Sequence, residues 1–146
     1  MQIEIKIDSS CVEPKVIVLT DRMSDEVNEI LRRLSEEAPK VIAGFREDTL
    51  EILEPNEIVR IYAASGKVIA VTDRGEYTLR QRLYELEEKL DKARFIRISN
   101  SEIVNLRKVR SFDLSMAGTI CVSLKNGENA FVSRRYVSRI RQVLGI

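Results

Sequence analysis

The chain has 146 residues, 44% of them hydrophobic and 5% aromatic, with no Trp, no His and a formal net charge of +1. That length suits one domain, or one domain with a small appendage, around a mainly aliphatic core. Absence of His excludes Ser-His-Asp and Cys-His nucleophile systems, and no apolar run approaches the ~20 residues of a membrane helix.

Charge is unevenly distributed. Residues 94–146 carry ten Lys/Arg against Glu102, Asp113 and Glu128, whereas residues 1–93 carry 14 bases and 20 acids. A basic C-terminal third suggests a polyanion-binding surface, or else a solvated mixture that is uneven by chance; charge alone leaves both open. The N-terminus lacks a signal peptide's basic start and long apolar centre, so a cytoplasmic location is expected. Cys11 and Cys121 are far apart and make a poor zinc set without His. Both are expected to be small apolar fillers, with no metal or cofactor.

In chain order, residues 3–7 (IEIKI) alternate apolar and charged as a half-buried strand does, and residues 15–19 (KVIVL) make a second strand candidate. Residues 24–37 (SDEVNEILRRLSEE) place Val27, Ile30, Leu31 and Leu34 on one helical face, with Ser24 as N-cap and Pro39 as the stop. Residues 1–40 therefore read as a β-β-α appendage, and residues 41–146 as the main domain. Short strands with turns at Pro55-Asn56 and Ser65-Gly66 follow, IVRIYA and KVIAVT forming a hairpin around Ala64-Ser65-Gly66. Thr78 with Gln81 fits a capping box for a helix carrying Leu79, Leu83, Leu86 and Leu90. Residues 95–106 (FIRISNSEIVNL) hold two apolar runs interrupted by Ser99, Asn100, Ser101 and Glu102, which predicts a turn between strands. After strand VRSFDLS, Asn126-Gly127 marks another hairpin. The last helix starts at Ser133, with Tyr136, Val137, Ile140, Val143 and Leu144 on its apolar side.

No GxGxxG, Walker, GxSxG or HExxH motif occurs, and pairs such as Glu36-Glu37 and Glu87-Glu88 read as solvated helix surface, so an enzyme is not expected. Binding chemistry is better represented. An Asn on a turn can bridge adenine N6/N7 in a major groove, and Arg can fork onto guanine O6/N7. Asn100 meets that need, although the segment alone favours an Asn serving only its own turn's backbone. Arg134 and Arg135 open the last helix, where they oppose its dipole unless an anion binds. Lys67, on the 64–67 turn, adds a third contact.

FIRISNSEIVNLRKV followed by LKNGENAFVSRRYVSRIRQVL closely resembles the LytTR DNA-binding domain of bacterial transcription regulators, from about residue 45 to 144. The resemblance implies a mostly β (α+β) fold of elongated antiparallel sheets with a C-terminal helix. It also implies sequence-specific binding of double-stranded DNA, with loops and the last helix's start in successive major grooves of direct-repeat sites. Carried over by position, Asn100 and Arg135 read bases, and the turn of Ser65, Gly66 and Lys67 supplies the remaining groove contact. Arg97, Ser99, Ser133 and Arg134 become phosphate or supporting contacts, and Asn105 a structural residue. Ser99 stands where many relatives have His, and Gly66 where a long polar residue is common. The implied protein is a short stand-alone regulator without a receiver domain, of a kind often controlled by a small membrane inhibitor protein. Apart from the resemblance, the exposed strands of residues 1–40 could pair with another copy as a homodimer or serve regulation, or else pack on their own domain. The rival reading is an interaction module or anti-activator that binds an acidic partner through the basic end.

Overall fold

The computed structural model describes residues 1–35 and 41–146, which fall into two units, Met1–Pro39 and Lys40–Ile146. In the first unit, helix α1 (Asp25–Ser35) starts as expected: Ser24 Oγ accepts from Val27 N at 3.3 Å, and Asp25 and Glu26 sit in the first turn. Val27 is its buried residue, over a shallow apolar groove shared with Val16, Val18, Met23 and Leu34. Segments 3–7 and 15–19, expected as strands, form no ladder among the described residues. Period-2 alternation sets which side a strand would bury; it does not supply a hydrogen-bonding neighbour. Pro39 and the Glu36-Glu37 pair lie outside the described residues.

In the second unit the alternating segments become antiparallel strands. They are β1 (Ile42–Arg46), β2 (Thr49–Leu53), β3 (Ile58–Ala64), β4 (Lys67–Thr72), β5 (Gly75–Leu79), β6 (Phe95–Ser99), β7 (Glu102–Asn105), β8 (Val109–Asp113), β9 (Ile120–Leu124) and β10 (Asn129–Val132). Helix α2 (Leu83–Lys89) follows β5, and helix α3 (Arg134–Leu144) follows β10. Seven strands form one sheet in the order β2-β1-β5-β4-β3-β7-β6, and β10-β9-β8 form a second. This is the mostly β fold, with a C-terminal helix, that the sequence implied.

Helix α2 begins later than expected. Thr78 pairs with Ile69 and Phe45 in the sheet, so it cannot cap, and Arg82 takes the N-cap position with Glu85 reaching back to its N–H. The leucines nevertheless share one core: Leu79 enters it from the strand, and Leu83, Leu86 and Leu90 from the helix. Asn126-Gly127 does mark the β9–β10 reversal, in a loop closed by Gly127 N on Leu124 O.

Two cores result, and the hairpin β6–β7 belongs to both. Phe95 and Ile103 face the α2 side, whereas Ile96, Ile98 and Val104 face the second sheet and α3, with Ile120, Val122 and Ile140 opposite them. In β3, Ile58 and Ile61 reach the first core although two residues, an even number, lie between them. A register shift between Ile58 and Arg60 absorbs the extra residue and leaves Val59 to the second core. On α3, Ile140 is fully buried while Val143, expected on the apolar side, is 47% exposed. Cys11 is exposed, so the filler role suits only the half-buried Cys121.

Candidate nucleic-acid interface

The polar interruption resolves into a two-residue turn. Ser99 and Glu102 still pair across the β6–β7 ladder, and only Asn100 and Ser101 lie outside it. A register shift between Arg97 and Ser99 accompanies the turn, and neither Asn100 nor Ser101 has a positive φ. The left-handed conformation that often recruits Asn to a turn is therefore not required here, and an exposed carboxamide is presented without a backbone reason for it.

The turn is held from several sides. Arg97 donates through Nε to Ser99 O at 2.7 Å, through Nη2 to Asn100 O at 2.6 Å, and through Nη1 to Glu87 Oε2 at 2.9 Å. Its side chain is only 13% exposed, so its guanidinium clamps the turn from within. Ser99 Oγ accepts from Ser101 N at 3.2 Å. Ser101 O accepts from Ala63 N at 2.8 Å, tying the turn to the end of β3. From the other side, Ser133 N donates to Ile98 O at 2.9 Å, and the Tyr136 hydroxyl donates to Asn100 Oδ1 at 3.0 Å. Oδ1 keeps one lone pair, and Nδ2 keeps both of its donors.

These links gather the three expected elements at one end of the large sheet. Strand β3 ends at Ala64 and turns through Ser65 (φ 53°) and Gly66 (φ 75°) to Lys67. Both central residues have positive φ, as a tight type I′ hairpin requires, which accounts for Gly66 on conformational grounds. Ser65, Gly66 and Lys67 are all exposed. On the opposite flank, helix α3 opens with Ser133 at the N-cap, its hydroxyl free of any capping bond. Arg134 and Arg135 follow, both exposed, with no acidic residue in that turn. The Arg134 guanidinium lies along Gly118, where a Cβ would stand 3.2 Å from Nε.

Behind this surface, Arg60 bonds Glu128 Oε2 at 2.6 Å and Glu102 Oε2 at 3.3 Å, joining the large sheet to the β9–β10 loop. Burial pushes the Glu102 carboxyl above its ordinary range, against the pull of Arg60. Asn105 is fully buried, donating to Ile58 O at 2.8 Å and accepting from Arg107 N at 3.0 Å. It is structural, as expected, but works at the end of β7 away from the turn.

Sequence reading missed two residues here. Tyr136 was counted as packing surface, yet its ring packs on the second core while its hydroxyl reaches Asn100. Glu87 was counted as solvated surface, yet it receives Arg97 and lies 3.8 Å from Arg139 of α3. No local pattern marks either residue, since their partners lie 36 and 10 positions away in the chain.

Residues 48–145 match the family model described as the LytTr DNA-binding domain. Proteins of Staphylococcus aureus strains NCTC 8325 and MRSA252, described as HTH-type transcriptional regulators, are 29% and 28% identical, each alignment covering 100% of this chain and 99% of theirs. A solved LytTr DNA-binding domain from Bacillus cereus superposes with a TM-score of 0.71 at 27% identity, covering 73% of this chain and 97% of that one. In the present chain five strands separate α2 from α3, so these two helices do not form a helix-turn-helix pair. The architecture, the residues matched and these relatives agree: the chain belongs to the LytTR DNA-binding domain family, and its second unit is a DNA-binding domain of a transcription regulator.

Proposed function

We propose that the chain reads duplex sequence by placing the Asn100 turn, the Ser65–Lys67 turn and the start of α3 into successive major grooves of a direct-repeat site. The observation that carries this reading is the exposed Asn100 carboxamide, which no backbone strain explains, whose Oδ1 accepts from Tyr136 and whose own backbone carbonyl accepts from Arg97. Nδ2 donates to a base-edge acceptor such as purine N7, guanine O6 or thymine O4, and the remaining Oδ1 lone pair still permits adenine N6 as a donor. Arg135, with no carboxylate or hydrogen-bond partner among the described residues, supplies the fork for guanine. Lys67, Arg134, Ser133 and the Ser99/Ser101 hydroxyls meet phosphate oxygens and set the register on the duplex.

The test is a selection of bound fragments from random duplexes, followed by titration of the selected and a scrambled duplex at several salt concentrations. Asn100→Ala and Arg135→Ala should each cost about 1–3 kcal/mol on the selected duplex and little on the scrambled one. Lys67→Ala should weaken both alike and reduce the salt slope by about 1. Equal losses on both duplexes for Asn100→Ala and Arg135→Ala would refute base reading.

A further inference from the structure

Residues 3–7, Ile-Glu-Ile-Lys-Ile, carry no helix, turn or positive φ and pair with no strand among the described residues, and Ile3, Ile5 and Ile7 are 84%, 84% and 98% exposed. A segment of alternating apolar and charged residues with no strand beside it is suited to pair with another strand. Its charges say which strand fits. Antiparallel pairing of two copies about Ile5 sets Ile5 against itself, Ile3 against Ile7, and Glu4 against Lys6. All six isoleucines then share one face, and two Glu–Lys pairs occupy the other.

Every neighbouring register is worse. A slip of two residues brings Glu4 opposite Glu4, or Lys6 opposite Lys6. A slip of one residue puts isoleucines opposite charges, and parallel in-register pairing aligns each charge with its own copy. A two-stranded ribbon alone is only marginally stable in water, so its apolar face needs cover. The same unit offers an apolar groove lined by Val16, Val18, Met23, Val27, Leu31 and Leu34.

The geometry points to residues 3–7 as a self-pairing strand that joins two copies of this chain antiparallel about Ile5. This inference rests on the first unit and is independent of the DNA-reading proposal, because the pairing is measured without nucleic acid.

Sedimentation equilibrium of the full chain tests it. The unaltered chain should be dimeric, and Glu4→Lys or Lys6→Glu alone should weaken the dimer about tenfold or more, since each sets like charges opposite one another twice. The double exchange E4K/K6E should restore the dimer. An equimolar mixture of the E4K and K6E chains should associate more tightly than either chain alone, because every charge then faces its opposite. Both positions are exposed, so thermal unfolding of the second unit should be unchanged in every variant. A chain that stays monomeric, a dimer indifferent to the single exchanges, or a mixture no tighter than its components overturns the proposal.

Discussion

Arg97→Met separates a clamp from a phosphate contact. The substitution keeps the aliphatic stem but removes three bonds at once: those to Ser99 O, Asn100 O and Glu87, at 2.7, 2.6 and 2.9 Å. Hydrogen bonds to a charged group contribute about 1.5–3 kcal/mol each, but the two carbonyls lie at a turn where water can replace part of the loss. Loss of the Glu87 pair is discounted in the same way, because Glu87 is 29% exposed and rehydrates. The sum expected is about 2–4 kcal/mol of unfolding free energy, readable in urea titrations. With the turn released, the ratio of specific to random binding should fall while the salt slope stays as it was. Arg97→Lys should recover the charge pairing with Glu87 but not the fork onto two carbonyls, giving intermediate stability. An Arg97→Met protein of unaltered stability, whose binding weakens equally on all duplexes with a salt slope lower by about 1, would refute the clamp and make Arg97 a phosphate ligand.

Two further outcomes follow from the same surface. Tyr136→Phe keeps the ring in its core and deletes the hydroxyl on Asn100 Oδ1, so preference for the selected duplex should drop by about 0.5–1.5 kcal/mol at constant salt slope; an unchanged preference in the duplex titration would show that the bond orients nothing. Glu102 is held above its ordinary carboxylate range by burial, so its stabilising contribution is full below 4.5 and lost as pH rises through the folded-state value. Unfolding titrations should therefore show the unaltered chain gaining stability relative to Glu102→Gln as pH falls from neutral toward 4.5. Parallel curves would remove the buried carboxyl from the account.

Strand pairing and core membership were legible wherever period-2 alternation ran between turn residues. The hairpins at Ser65-Gly66 and around Asn100 lie where the pattern put them, because turn chemistry and side-chain alternation act locally. The start of α2 was not legible, since Thr78 satisfies a capping pattern and a strand ladder equally well and only the neighbours Ile69 and Phe45 decide. Segments 3–7 and 15–19 form no ladder among the described residues for a related reason: a pattern can declare an apolar side without naming what covers it. At the candidate site, exposed cations could be found by position alone. Tyr136 and Glu87 could not, because each acts through a partner 36 or 10 residues away in the chain.

The hairpin β6–β7 is gripped on both faces, yet Asn100 at its tip belongs to neither core, and the same holds for Lys67 and Arg135. Replacing these three side chains therefore leaves the scaffold's folding free energy almost untouched. On the proposed reading, substitutions at Asn100 and Arg135 carry a duplicated copy to a new genomic address without passing through an unstable ancestor.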